Sequence, residues 1–192
     1  MRSTWIDTPT MRLILGAMMP ENCLALEVSE ATGLRISDVL SIKTDSVRQS
    51  ARPTVQDSKT GKRHRIYIPV KLRARMLAQA GRVYVWPSRT KPLEQHRSRQ
   101  AVYKDMRHAV AVFRRNGRID ADSNPCPHSA RKRAAVRAYH HGGLDEAARL
   151  LMHDRDDAVV TMLYALSDQA PKGVKRRGSK SKSAKGSRTG RG

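Results

Sequence analysis

Aromatic side chains are the scarcest building material in this chain: Phe, Trp and Tyr make up 4% of its 192 residues, with a single Phe. A core must therefore be assembled from Leu, Ile, Val, Ala and Met. Those residues suit helices packed on helices better than a β-sandwich, whose interior draws on aromatic and β-branched side chains. The apolar residues, 39% of the total, run along most of the chain but give out in its final segment. That length and distribution fit one medium-sized domain and hardly two.

Charge narrows the choice of partner. Lys and Arg number 38 against 17 Asp and Glu, a net charge of +21. Residues 171–192 hold nine Lys/Arg and no acid, which leaves +12 on the rest. A body that basic points to a polyanion, most simply nucleic acid. Solubility alone, or a structural nucleic-acid binder, would account for the charge but for nothing else below. Cys23 and Cys126 stand far apart without metal-ligand spacing, as expected for a reducing compartment. His140-His141 offers no metal site, since neighbouring helical residues point apart and no carboxylate or cysteine is suitably spaced. The short apolar stretch near the N-terminus lies between Arg12 and Pro20 and lacks a cleavage site, so it reads as a helix and the expected location is cytoplasmic, with no membrane contact.

Punctuation along the chain predicts the elements. Thr8-Pro9 starts a helix with Met11, Ile14, Leu15 and Met18 on one side, and Pro20 opens a second that ends at Thr32, with Gly33 as its cap. Ser37 is the expected N-cap of a short helix, Asp38 to Ser41. Val47, Thr54–Gln56 and Arg65–Ile68 read as extended, with the turn Ser58-Lys59-Thr60-Gly61-Lys62 making a basic hairpin. Pro69 begins a helix to about Ala80, Val83–Trp86 reads as a short strand, and helices follow at about 98–115, 128–139, 144–151 and 156–166. The expected fold class is α+β, mostly helical with a small antiparallel sheet. Residues 1–168 form one domain, and residues 169–192 a Lys/Arg/Gly/Ser-rich tail too polar to bury a core and expected to be disordered.

Breaking a phosphodiester without metal needs a nucleophile, cations on the non-bridging oxygens, a base for the nucleophile's proton and an acid for the leaving oxygen. Arginine suits the cationic task because its planar fork donates two bonds to a phosphate and keeps its charge. Candidates occur in a telling order: Ala31-Thr32-Gly33-Leu34-Arg35-Ile36-Ser37-Asp38, then Ser58-Lys59-Thr60-Gly61-Lys62, then His128-Ser129-Ala130-Arg131, then Leu150-Leu151-Met152-His153, then Thr161-Met162-Leu163-Tyr164. In that order, and over roughly residues 10–168, the chain resembles the catalytic domain of the tyrosine recombinases, or phage integrases.

The resemblance implies a set of roles. Tyr164 would attack the scissile phosphate to give a 3′-phosphotyrosyl bond. Arg35 and Arg131 would clamp the non-bridging oxygens, Lys59 would protonate the leaving 5′ oxygen, His128 would be the general base and His153 a hydrogen-bond donor to the phosphate. Asp38 would orient neighbouring side chains. Lys62, Arg65, Lys132 and Arg133 are expected DNA contacts, with Lys62 and Arg65 also rivals of Lys59. Tyr67, Tyr84, Tyr103 and Tyr139 are alternatives to Tyr164, but none follows the Leu-Leu-Met-His segment. No metal or cofactor is implied. The implied partner is double-stranded DNA at a specific site, bound by a homotetramer across two duplexes.

Two departures from the family pattern stand out: Met152 replaces the usual Gly, and the 11-residue step from His153 to Tyr164 exceeds the usual spacing. The 192 residues leave no room for the N-terminal clamping domain common in the family, as expected of its catalytic-domain-only members or equally of a fragment of a longer protein. The alternatives are a DNA-binding protein that keeps the fold without catalysis and a topoisomerase-like relaxing enzyme.

Overall fold

A computed structural model of the chain describes residues 3–151. The expected helix at 156–166, His153, Tyr164 and the tail 169–192 lie outside the described residues.

Helix α2 (Pro20–Thr32) forms the axis of the domain. Its residues Asn22, Leu24, Ala25, Leu26, Val28, Ser29 and Thr32 are all buried. That burial runs around the helix instead of along one stripe, as expected for an element covered on several sides. The neighbours are α3 (Ile36–Leu40), α5 (Val70–Gln79) and, most extensively, α7 (Pro127–Leu151). Helix α1 (Thr8–Gly16) packs on α6 (Arg99–Arg115). A main core cluster drawn from all these helices contains one aromatic side chain, Trp86, whose ring N–H donates to the Glu21 carbonyl at 2.8 Å.

The expected starts of α1 and α2 hold. Pro9 sits in the first turn of α1 behind an Asp7 cap that accepts the Thr10 N–H, and Pro20 opens α2. Gly33 closes α2 with φ +73°. That left-handed conformation favours glycine, and a Cβ there would also lie 2.8 Å from the Leu150 carbonyl oxygen. The break expected around residues 140–143 is a kink inside α7 at Gly142 and Gly143, with φ +73° at Gly143. The two halves of α7 fold back together around Ala135, Ala138, Ala147 and Leu151.

Four expectations are corrected. Val47 belongs to a helix, α4 (Thr44–Gln49), where it points into the core while α4 packs on α5. One β-branched residue does not fix a strand, because β propensity follows packing. Val83–Trp86 forms only an isolated bridge, Tyr84 to Lys43, since α4 begins directly after Lys43 and Pro87 follows on the other side. Helix α3 starts two residues early, with Arg35 rather than Ser37 at the cap. The sheet pairs β1 (Thr54–Gln56) antiparallel with β2 (Arg63–Arg65) instead of with residues 65–68. Ile66 and Ile68 still donate to the Pro53 and Ala51 carbonyls, but Pro53 has no N–H to return, so the ladder is cut short. Among the described residues, no helix is long and apolar enough to cross a membrane.

Candidate functional site

The site is built where the end of α2 meets α7. Arg131, on the first turns of α7, is 7% exposed and donates from Nη1 to the Gly33 carbonyl (2.6 Å) and from Nη2 to the Leu151 carbonyl (2.7 Å). One guanidinium thus ties the C-terminal cap of α2 to the last turn of α7. Burial, followed by the neighbouring Arg35 charge, lowers the Arg131 pKa to about 10 against the pull of Asp38 and Asp57, so it stays cationic at neutral pH.

Arg35 follows two residues after the Gly33 cap and lines an open cleft of about 320 Å³ with Ile36, Ser37, Tyr103, Cys126 and His128. Two further lining residues, Arg99 and Gln100, come from the exposed first turn of α6. The Arg35 side chain is 17% exposed, and among the described residues its bond is to Asp57, with Nη1 donating to Oδ2. His128 lines the same cleft and is exposed. Partial withdrawal from water, then the charges of Arg131, Arg35, Arg99 and Lys132, lower its pKa. Its imidazole is neutral at pH 7 and able to accept a proton.

The hairpin brings Lys59 to the same region. Asp38, 1% exposed, accepts the Ser58 N–H at 3.1 Å, and the Ser37 and Ser58 hydroxyls lie 3.2 Å apart. The Asp38 carboxylate thus holds the backbone of the turn that carries Lys59. Lys59 itself is exposed.

The other expected residues divide. Lys62 and Arg65 are exposed on the hairpin, where Arg65 Nε donates to the Arg52 carbonyl at 3.3 Å. Lys132 and Arg133 face the N-terminal segment: Lys132 Nζ donates to the Ser3 carbonyl (2.6 Å), while Arg133 bonds Glu30, the Ile6 carbonyl and the Thr8 hydroxyl. These two cations clip the start of the chain to α7. His153 and Tyr164 lie outside the described residues.

Asp57 was missing from the sequence reading. Its side chain is 4% exposed, and Oδ1 accepts the N–H groups of Lys59 (2.8 Å) and Thr60 (2.9 Å). Burial alone would raise its pKa; the Thr60 and Lys59 amides and Arg35 outweigh it and bring it down to about 2. An Asp two residues before a turn lysine is a recognisable turn-former, but nothing in the sequence signals its pairing with an arginine so far upstream.

Cations on a shallow groove, a neutral imidazole and a lysine on an anchored turn can neutralise a phosphate diester and move protons on either side of it. A family model described as the phage integrase family matches residues 7–170. Among solved structures, a lambda integrase dimer bound to a COC′ core site is similar with a TM-score of 0.71 at 20% identity, covering 91% of this chain and 51% of that one. A lambda integrase tetramer bound to a Holliday junction is similar with a TM-score of 0.64 at 19% identity, covering 82% and 48%. The catalytic domain of bacteriophage HP1 integrase gives 0.57 at 18% identity, covering 86% and 88%. The chain thus spans about half the length of the lambda integrase chains it matches. No curated protein matches it in sequence.

Proposed function

The chain belongs to the phage integrase family, and on that premise we propose that it is a site-specific DNA recombinase that cuts and rejoins strands through a 3′-phosphotyrosyl bond, without metal. The observation that carries this reading is one cleft lined by Arg35 and His128, with the Lys59 turn fastened beside it to Arg35, Ser37 and Asp38.

In this reading the Tyr164 oxygen attacks the scissile phosphorus while its proton passes to His128, whose neutral ring is ready to take it. The bond from phosphorus to the 5′ oxygen breaks, and that oxygen takes a proton from Lys59. Arg35 meets the non-bridging oxygens directly, and Arg131 adds its charge from beneath the α2 cap. His153 adds a hydrogen bond to the phosphate, and Asp38 orients the turn. Energy is kept in the phosphotyrosyl bond, so a 5′ hydroxyl from another strand reverses the step and completes strand exchange. Lys62 and Arg65 take backbone phosphates beside the hairpin. Lys132 and Arg133 reach DNA only by giving up bonds to the N-terminal segment, and so contribute less. The proposed partner is double-stranded DNA at a specific site, held by a homotetramer across two duplexes, in the cytoplasm. Residues 1–168 form the catalytic domain, and the basic tail beyond adds salt-sensitive phosphate contacts.

The test is a covalent trap. The full chain is mixed with supercoiled DNA and with duplexes it selects from a random pool, in EDTA, then denatured with SDS. The expected result is a DNA adduct that Tyr164→Phe abolishes. Binding to the selected duplex with no adduct would replace this reading with a DNA-binding protein that keeps the fold without the chemistry.

A further inference from the structure

Four successive backbone amides of the turn that carries Lys59, those of Ser58 to Gly61, are anchored by acidic residues. The Ser58 N–H donates to the Asp38 carboxylate. The Lys59 and Thr60 N–H groups donate to the Asp57 carboxylate, and the Gly61 N–H to the Asp57 carbonyl at 2.8 Å. Asp57 closes the loop itself, its own N–H donating to the Lys62 carbonyl at 2.9 Å. The ammonium end of Lys59 has no such anchor among the described residues: it is exposed, on a turn whose backbone is fixed. Lys59 is held at its root and loose at its tip.

Asp57 does more than cap a turn. An asparagine or serine at this position would accept the same amides. Its second oxygen is turned inward to the Arg35 guanidinium, which in turn lines the cleft with His128. A single buried carboxylate therefore joins the backbone of the lysine turn to the arginine of α3. The bond uses only Nη1 of Arg35. A carboxylate bonded at Nη1 restrains the guanidinium at that corner and leaves its remaining N–H donors for a phosphate.

We infer that Asp57 is a positioning residue for strand cleavage, setting the distance between the lysine that protonates the leaving oxygen and the arginine that binds the same phosphate. The inference rests on the roles proposed above for Lys59 and Arg35. Its physical core is geometric coupling. A proton donor displaced by about 1 Å loses on the order of 100-fold in rate even when the substrate is bound as before. Removing a carboxylate from beside two arginines also leaves the cleft more attractive to a phosphate. Loss of Asp57 should therefore separate rate from affinity.

Two measurements on the full chain test this. The first needs no cleavage: hydrogen exchange of the Lys59 and Thr60 amides in the wild type, Arg35→Gln and Arg35→Lys. Arg35→Gln should speed exchange at both amides by about tenfold by loosening the carboxylate that holds them, and Arg35→Lys, which keeps a cation for Asp57, should restore much of the protection. Unchanged exchange in Arg35→Gln would overturn the coupling.

The second compares cleavage of the selected duplex with the same duplex carrying sulfur in place of the leaving 5′ oxygen, since a thiolate departs without a proton. Asp57→Asn should cut oxygen DNA about 100-fold more slowly at undiminished DNA affinity, and sulfur should restore most of that loss, as it should for Lys59→Ala. Sulfur that restores Lys59→Ala but not Asp57→Asn would overturn the positioning role and leave the acid in place. Sulfur that fails to restore Lys59→Ala would overturn the acid role of Lys59 and with it this positioning role. A parallel fall of affinity, cleavage and thermal stability in Asp57→Asn would reduce Asp57 to an ordinary structural residue.

Discussion

The two arginine-bearing and lysine-bearing parts of the cleft are fastened in opposite ways. The Gly33–Arg35 turn is wedged between α2 and the end of α7: Gly33 has no room for a Cβ against Leu150, and Arg131 bonds carbonyls on both sides. The β1–β2 hairpin has three residues per strand, and its turn is held to the body through two carboxylates. One part is fixed by close packing around a buried arginine whose two bonds hold backbone on both sides, which leaves little room for displacement. The other is fixed by charge and hydrogen bonds, which can be exchanged one at a time. A phosphate clamp gains from immobility, whereas a group that must deliver a proton gains from a tip that adjusts.

Mutations at the packed part should have the larger effects on stability. Arg131→Met strands two buried carbonyls, those of Gly33 and Leu151, and each loses a charged donor. At roughly 1–3 kcal/mol for each orphaned acceptor, a loss of about 4 kcal/mol is expected in urea unfolding. A loss below about 1 kcal/mol would show the two carbonyls satisfied in another way.

Gly33→Ala follows, at about 3 kcal/mol. It combines the left-handed φ of +73° with a Cβ 2.8 Å from the Leu150 carbonyl oxygen and 2.9 Å from its side chain. Thermal unfolding measures it, and an unchanged midpoint would mean the α2–α7 wedge is looser than described.

The hairpin attachment should yield to acid. The Asp57 pKa is lowered from 3.8 to about 2, so the unfolded chain binds this proton more readily than the folded one. Its contribution, on the order of 2 kcal/mol, is complete above pH 3.8 and is lost as the pH falls toward 2. The contrast in urea midpoint between wild type and Asp57→Asn should narrow across that window. A contrast that persists at pH 2 would remove the charge of the Asp57 carboxylate as its source.

Lys59→Ala should be the mildest for folding and among the severest for function. An exposed turn side chain changes stability by less than about 0.5 kcal/mol, while adduct formation on oxygen DNA should fall by at least about 100-fold. Retained cleavage would pass the acid role to Lys62, the other lysine of the turn.

Much of this architecture was written in local signals. Pro9, Pro20 and Pro69 mark three helix starts, Gly33 marks a helix end, and the Ser58–Lys62 turn marks the hairpin, because each acts within a few residues of itself. Val47 and Val83–Trp86 misled because their conformations depend on what packs against them: α5 in the first case, a one-pair bridge in the second. The order of the motifs disclosed the family, yet the inner wiring was invisible. Arg131 turning to the Gly33 and Leu151 carbonyls, and Asp57 reaching Arg35, are contacts between distant positions with no periodic trace in the sequence.

The join between α2 and α7 also has a mechanical side. The chain runs on from Leu151 toward His153 and Tyr164, and Leu151 is where Arg131 grips the backbone. Tension applied to that continuation meets the α7 helix, the buried Leu151 side chain and a guanidinium whose other arm holds the Gly33 carbonyl, two residues ahead of Arg35. Through that guanidinium, a tug on the C-terminal segment has a path of two hydrogen bonds to the arginine cleft.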